Sequence, residues 1–143
     1  MEPKIINTQN LNETQEFARD FAKNLKAGDV LCLYGNLGSG KTSFVQGLAK
    51  GLGITRRIIS PTFIIARRYE ISDLNLYHID LYRTQTLQDL LSIGIDEILE
   101  DDNNIVAIEW AEKLLDLMPK KRVDLKFEYV DENKRKITIE NHE

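Results

Sequence analysis

The chain has 143 residues, a formal net charge of −4, 42% hydrophobic and 29% charged residues, which is the usage of an ordinary globular protein and the length of one domain spanning residues 1–143. The charge balance argues against broad electrostatic binding of nucleic acid. No apolar run reaches the length of a membrane span, and Met1-Glu2-Pro3-Lys4 lacks a charged-then-apolar leader pattern, so a cytoplasmic location with no membrane partner is expected.

Lys4-Ile5-Ile6-Asn7 reads as a short strand, and Asn10 with Glu13 has the spacing of a capping box, which predicts a helix start. Phe17, Phe21 and Leu25 recur at helical spacing, Ala18 and Ala22 widen the stripe, and Ala27-Gly28 ends it; this face is expected to pack on a sheet. Asp29 to Tyr34 is a short apolar strand holding the single cysteine, Cys32, which reads as a small buried hydrophobe with no disulfide partner. Gly35-Asn36-Leu37-Gly38-Ser39-Gly40-Lys41-Thr42 then fits G-x-x-x-x-G-K-[ST], and Ser43 to Leu52 is helical by the spacing of Phe44, Leu48 and Leu52. Strand, glycine loop and helix together mean phosphate binding. Glycines let backbone N–H groups converge on an anion, and the helix N-terminus adds unpaired N–H groups and a positive dipole end. Lys41 would reach the β- and γ-phosphates, and the Thr42 hydroxyl would ligate Mg²⁺.

After Gly51 to Gly53, the stretch Arg56 to Thr62 reads as extended because the residue before Pro61 is pushed out of helix. Phe63 to Glu70 and Leu74 to Tyr82 form a predicted hairpin around Ile71-Ser72-Asp73. Thr86 with Asp89 opens a helix that breaks at Gly94 and resumes through Ile95, Ile98 and Leu99. Ile105 to Ile108 has a buried-strand signature, a short helix runs from Ala111 to Leu117 and stops at Pro119, and Val123–Tyr129 with Lys136–Ile139 closes as a hairpin around Asp131-Glu132-Asn133. The expected fold class is α/β: a P-loop NTPase-like mixed β-sheet flanked by helices, with an antiparallel hairpin portion and the nucleotide at the C-terminal ends of the strands.

Such a loop needs an acid at the end of a neighbouring strand to hold Mg²⁺, and Asp80 and Glu109 both sit where apolar runs end. Around them, Ser60-Pro61-Thr62-Phe63, Tyr77 to Arg83, Ile93-Gly94-Ile95-Asp96-Glu97 and Glu109-Trp110-Ala111-Glu112 resemble, in order and spacing, the TsaE (YjeE) family. The resemblance spans nearly the whole chain and is weakest in the C-terminal hairpin. It implies a small P-loop ATPase required, with the partner proteins TsaB and TsaD, for making threonylcarbamoyladenosine next to the anticodon of tRNA, with tRNA met indirectly through the complex.

Carried over residue by residue, the resemblance implies a phosphate cradle of Gly35, Gly38, Ser39, Gly40, Lys41, Thr42 and Ser43, with ATP and Mg²⁺ as the bound groups. Thr42, Asp80 and Glu109 would form the metal site. Lys41, Glu109 and Thr62 would be catalytic, Glu109 orienting or deprotonating the attacking water and Thr62 acting as a switch residue at the γ-phosphate. Trp110 reads either as a nucleotide-proximal or partner-facing switch residue or as a core tryptophan. Leu11 and Lys113 are the adenine candidates. His78 reads as a half-buried structural histidine, Arg83 as solvated or as a holder of switch carboxylates or phosphate. Arg56-Arg57 and Arg67-Arg68 flank the switch segment and are the basic clusters best placed to touch tRNA or TsaD. A small-molecule kinase and a nucleotide-gated binding module with negligible hydrolysis are the alternatives. The guanine-reading N-K-x-D motif is absent, which favours ATP over GTP.

Overall fold

The computed structural model describes residues 2–58 and 65–143. Within them the chain runs β1 (Lys4–Thr8), α1 (Leu11–Ala22), β2 (Val30–Tyr34), α2 (Lys41–Gly51), β3 (Ala66–Ile71), β4 (Leu74–Asp80), α3 (Leu87–Ser92), α4 (Ile95–Glu100), β5 (Asn104–Glu109), a 3₁₀ helix (Ala111–Leu117), β6 (Arg122–Tyr129) and β7 (Arg135–His142). Among the described residues the strands form one mixed sheet in the order β1-β7-β6-β2-β5-β4-β3. The expected α/β class and both hairpins are present.

The centre of this sheet, β6-β2-β5-β4, is parallel, and β3 and β7 pair antiparallel on its two flanks. β1 is antiparallel to β7 and therefore runs in the direction of the central four. Five strands thus end at one edge. That edge receives the N-terminus of α1, the glycine loop, Asp80, Glu109 and the tip of the β6–β7 hairpin.

Side-chain alternation divides the core between the faces of the sheet. Leu31, Leu33, Leu76, Ala107 and Leu125 pack under α1 and α2, whereas Cys32, Ile79, Val106 and Ile108 pack with Leu90, Ile95 and Leu114 on the other side. The helix starts follow local chemistry. The Asn10 side chain accepts from the Glu13 N–H at 2.9 Å, while the Glu13 carboxylate reaches back to the N–H of Gln9, one residue before the cap. Thr86 and Asp89 form a complete capping box.

Three expectations change. Helix α1 stops at Ala22, before Leu25, and its partner is principally α2 rather than the sheet. A Cβ placed on Gly47 would lie 2.3 Å from the Gln15 carbonyl oxygen and 2.8 Å from Ala18 Cβ, and one on Gly51 would lie 2.4 Å from the Arg19 carbonyl oxygen and 2.7 Å from Ala22 Cβ. Small residues spaced by four on both helices allow this backbone approach. Phe17 and Phe21 then pack against Phe44, which meets Phe127 of β6 edge-on at 5.4 Å. The segment Ala111–Leu117 is 3₁₀ and is interrupted at Leu115, whose φ of 50° and ψ of −119° are non-helical. His78 is fully buried rather than half-buried, because it lies on the face of β4 covered by α2. No helix among the described residues is long and apolar enough to cross a membrane.

Candidate nucleotide site

The glycine loop leaves β2 and enters α2 at Gly40, whose φ of 105° is a left-handed conformation suited to glycine. No side chain caps this helix. The first backbone hydrogen bond of the helix runs from the Phe44 N–H to the Gly40 carbonyl, so the N–H groups at the opening of α2 have no intrahelical acceptor. They face a cavity of about 630 Å³ at the C-terminal edge of the sheet.

Of the residues singled out from the sequence, Leu11, Gly38, Gly40, Lys41, Thr42 and Ser43 line this cavity. Asp80, Glu109 and Trp110 line it from the sheet side. Gly35 lies behind it, its carbonyl accepting from Lys41 Nζ. Ser39 is buried and its hydroxyl has no hydrogen-bond partner. Lys113 is elsewhere: its ammonium group donates to the carbonyls of Tyr82 and Thr84, and it lines a separate apolar groove. Thr62, with the rest of its Ser-Pro-Thr-Phe motif, lies outside the described residues.

Lys41 is 4% exposed, with Nζ 3.9 Å from the centre of the Trp110 ring. Burial pushes its pKa down, opposed by the negative charges of Glu109, Glu112 and Asp80. Trp110 takes a left-handed φ of 58° directly after β5, which turns its ring back over Lys41 and against Tyr82, 5.1 Å away between centroids. Trp110 thus packs on protein as a partly buried side chain and also walls the cavity.

Asp80 and Glu109 are register partners at the ends of adjacent parallel strands. Glu109 is buried, and Thr42 Oγ1 lies 3.2 and 3.0 Å from its two carboxylate oxygens. Asp80 accepts from the Tyr82 N–H at 2.9 Å. Burial raises the pKa of Asp80, the Tyr82 bond lowers it, and the neighbouring Glu109 raises it again. A hard divalent cation suits this donor set of one hydroxyl and two crowded carboxylates, since it would offset both burial and repulsion. Among the described residues no group of three or more His, Cys, Asp or Glu side chains is arranged to hold a metal ion by itself. Thr42, Asp80 and Glu109 would thus supply only part of the coordination sphere of such a cation, the rest falling to water or ligand oxygens.

Sequence reasoning missed one wall. Glu132, Asn133 and Arg135 reach the cavity from the β6–β7 hairpin, and Arg135 donates to the Gly38 carbonyl at 3.1 Å. No local motif marks them; only the parallel pairing of β6 with β2 brings that hairpin tip beside the glycine loop. Leu37 and Leu11 stand 69% and 58% exposed at the same cavity, an apolar surface open to a flat ligand.

The family model for threonylcarbamoyl adenosine biosynthesis protein TsaE matches residues 8–137. A tRNA threonylcarbamoyladenosine biosynthesis protein TsaE of Bacillus subtilis is 39% identical over 132 residues, covering 92% of this chain and 82% of that protein. The TsaE of Rickettsia typhi is 37% identical over 128 residues, covering 89% and 88%. The crystal structure of Bacillus subtilis YdiB superposes with a TM-score of 0.84 at 34% identity, covering 99% of this chain and 87% of that one. The match over most of the chain makes this protein a member of the TsaE family.

Proposed function

We propose that this chain is a Mg²⁺-dependent ATPase that serves threonylcarbamoyladenosine modification of tRNA by associating with the TsaB–TsaD complex in a nucleotide-dependent way and hydrolysing ATP. Membership of the TsaE family supports the role in threonylcarbamoyladenosine biosynthesis. One observation carries the chemical reading: the uncapped N-terminus of α2, with Lys41 and Thr42 as its first residues, opens into the same cavity as the buried carboxylate of Glu109.

The N–H groups of Lys41 to Ser43 would hold the phosphates, and Lys41 would exchange its contact with the Gly35 carbonyl for phosphate oxygens. Glu109 would orient the attacking water and accept its proton. Thr42 and Asp80 would hold Mg²⁺, with Glu109 acting on it through water. Bound Mg²⁺ would supply neutralisation of the charge that develops on the phosphoryl group. Leu11 and Leu37 offer the apolar surface for the base, and the Trp110–Tyr82 pair bridges from the catalytic strand to the surface where a partner would sense the nucleotide.

The test is Mg²⁺-dependent ATP hydrolysis by the purified protein, alone and with TsaB and TsaD, with Glu109→Ala as control. A partner-stimulated rate lost in the variant supports the ATPase reading. ATP binding without hydrolysis in either condition refutes it in favour of a nucleotide-gated binding module, and phosphate transfer to a metabolite refutes it in favour of a small-molecule kinase.

A further inference from the structure

Residues Leu76, His78 and Asp80 alternate along β4 onto the face that α2 covers, opposite Ile105, Ala107 and Glu109 of β5. Leu76 is core and Asp80 reaches the cavity. His78 lies between them, fully buried and absent from the cavity lining. Its Nε2 is 2.6 Å from Glu109 Oε2, and its Nδ1 has no hydrogen-bond partner. An ionised carboxylate can only accept, so the ring bears a proton on Nε2, while Nδ1 is left without a partner. An apolar side chain of similar volume would fill this place without stranding a nitrogen. Core packing alone therefore does not account for an imidazole here.

What the imidazole does have is the carboxylate. Thr42 approaches both oxygens of Glu109 from α2, but Thr42 belongs to the nucleotide loop, whereas His78 is fixed in the sheet. His78 holds Oε2 at the short distance, whereas Oε1 is met only by Thr42, at 3.2 Å. We propose that His78 is a positioning residue that fixes the Glu109 carboxylate for its work on water and on the Mg²⁺ shell. This rests on the reading of Glu109 given above. It assigns a role to a residue that touches neither nucleotide nor metal and acts only through Glu109, as the partners of metal-site and catalytic carboxylates do.

The experiment compares wild type with His78→Leu, His78→Gln and Glu109→Gln in three measurements: kcat and KM for ATP with TsaB and TsaD present, ATP affinity with and without Mg²⁺, and imidazole ¹⁵N–¹H spectra. His78→Leu is expected to lower kcat by about 10- to 100-fold and to reduce the gain in ATP affinity from Mg²⁺, while Mg²⁺-free affinity and KM change little. Glutamine places an N–H near the original Nε2, so His78→Gln should recover most of both losses. Wild type should show a slowly exchanging Nε2–H that moves in Glu109→Gln. Wild-type kcat and Mg²⁺ dependence in His78→Leu would overturn the proposal, as would equal deficits in the Leu and Gln variants that track loss of thermal stability. If wild type hydrolyses no ATP, the ATPase reading fails on that result, and the Mg²⁺ titration still decides the positioning role: loss in His78→Leu with recovery in His78→Gln upholds it, and equal Mg²⁺ dependence overturns it.

Discussion

Gly47→Ala isolates the contact on which the glycine loop is mounted. The added methyl would sit 2.3 Å from the Gln15 carbonyl oxygen, 2.8 Å from Ala18 Cβ and 2.9 Å from Gln15 Cα, against an ordinary separation of about 3.5–4.0 Å. Two of those atoms are backbone of α1, so no rotamer change relieves the clash. The two helices must part by about an ångström, which places the cost at the upper end of the roughly 1–3 kcal/mol typical of overpacking. Alanine in place of glycine regains about 1 kcal/mol of helix propensity, leaving a net loss of about 2 kcal/mol. For a chain of this size that is a fall in melting temperature of roughly 4–8 °C. Because α2 begins with Lys41 and Thr42, the same displacement should loosen the contact between Thr42 and Glu109 and weaken nucleotide binding. Thermal unfolding followed by circular dichroism, with a fluorescent-nucleotide titration on the same sample, reads both effects. An unchanged or raised melting temperature would refute the reasoning, since propensity would then outweigh a clash that the close crossing of α1 and α2 makes unavoidable.

Lys41→Ala should abolish ATP binding in an equilibrium titration while the far-ultraviolet spectrum stays unchanged. Arg135→Ala removes the guanidinium that donates to the Gly38 carbonyl at 3.1 Å; one such bond, of about 1 kcal/mol, predicts an approximately fivefold weaker Kd for ADP, and an identical Kd would deny the hairpin a part in shaping the loop. Burial drives the Cys32 thiol up to about 12, with the Asp124 charge adding to it, so the native protein should not react with a thiol reagent at pH 8 while the urea-unfolded chain reacts at once. Asp80 has a folded pKa raised above its unfolded value, so the native state binds its proton more tightly and the ionised side chain destabilises the Mg²⁺-free fold at neutral pH. Asp80→Asn should therefore raise the melting temperature at pH 7, with the gain shrinking as pH falls through the folded pKa and vanishing below the ordinary aspartate range; Mg²⁺-dependent ATP affinity should fall in the same variant.

What was legible in the sequence is what local chemistry decides. The phosphate loop, the capping residues Asn10 and Thr86, the break at Gly94 and the turns at Ser72-Asp73 and Asp131 to Asn133 each depend on a few neighbouring residues, and the structure forms all of them. Long-range pairing is where inference stopped. Ala18 and Ala22 read as extra width on an apolar stripe, but their partners Gly47 and Gly51 lie some thirty residues away, and nothing local says that backbone would meet backbone there. His78 reads as half-buried because alternation in a strand gives a face but not what covers it. The hairpin tip was blank for a similar reason: Glu132, Asn133 and Arg135 have turn chemistry in sequence and acquire a cavity only through the order of the sheet. Lys113 shows the converse, since its closeness in sequence to Glu109 does not bring it to the cavity when the backbone reverses at Trp110.

That reversal bears on how the site can signal. Glu109 and Trp110 are consecutive, yet the left-handed turn at Trp110 sends the carboxylate inward to His78 and Thr42 and the indole outward over Lys41 and Tyr82. Any movement of Lys41 toward phosphate must shift the ammonium that lies 3.9 Å from the indole, and Tyr82, 42% exposed, carries that stack to the surface. If Lys41 takes up phosphate as proposed, the cation–π contact, worth about 0.5–2 kcal/mol, would bias the orientation of Tyr82 according to what Lys41 holds. A coupling of that size corresponds to a change in partner affinity of roughly 2- to 30-fold between nucleotide states. It would connect occupancy of the glycine loop to an exposed aromatic surface with no need for a domain to move, because Lys41, the Trp110 ring and Tyr82 already stack one on the next.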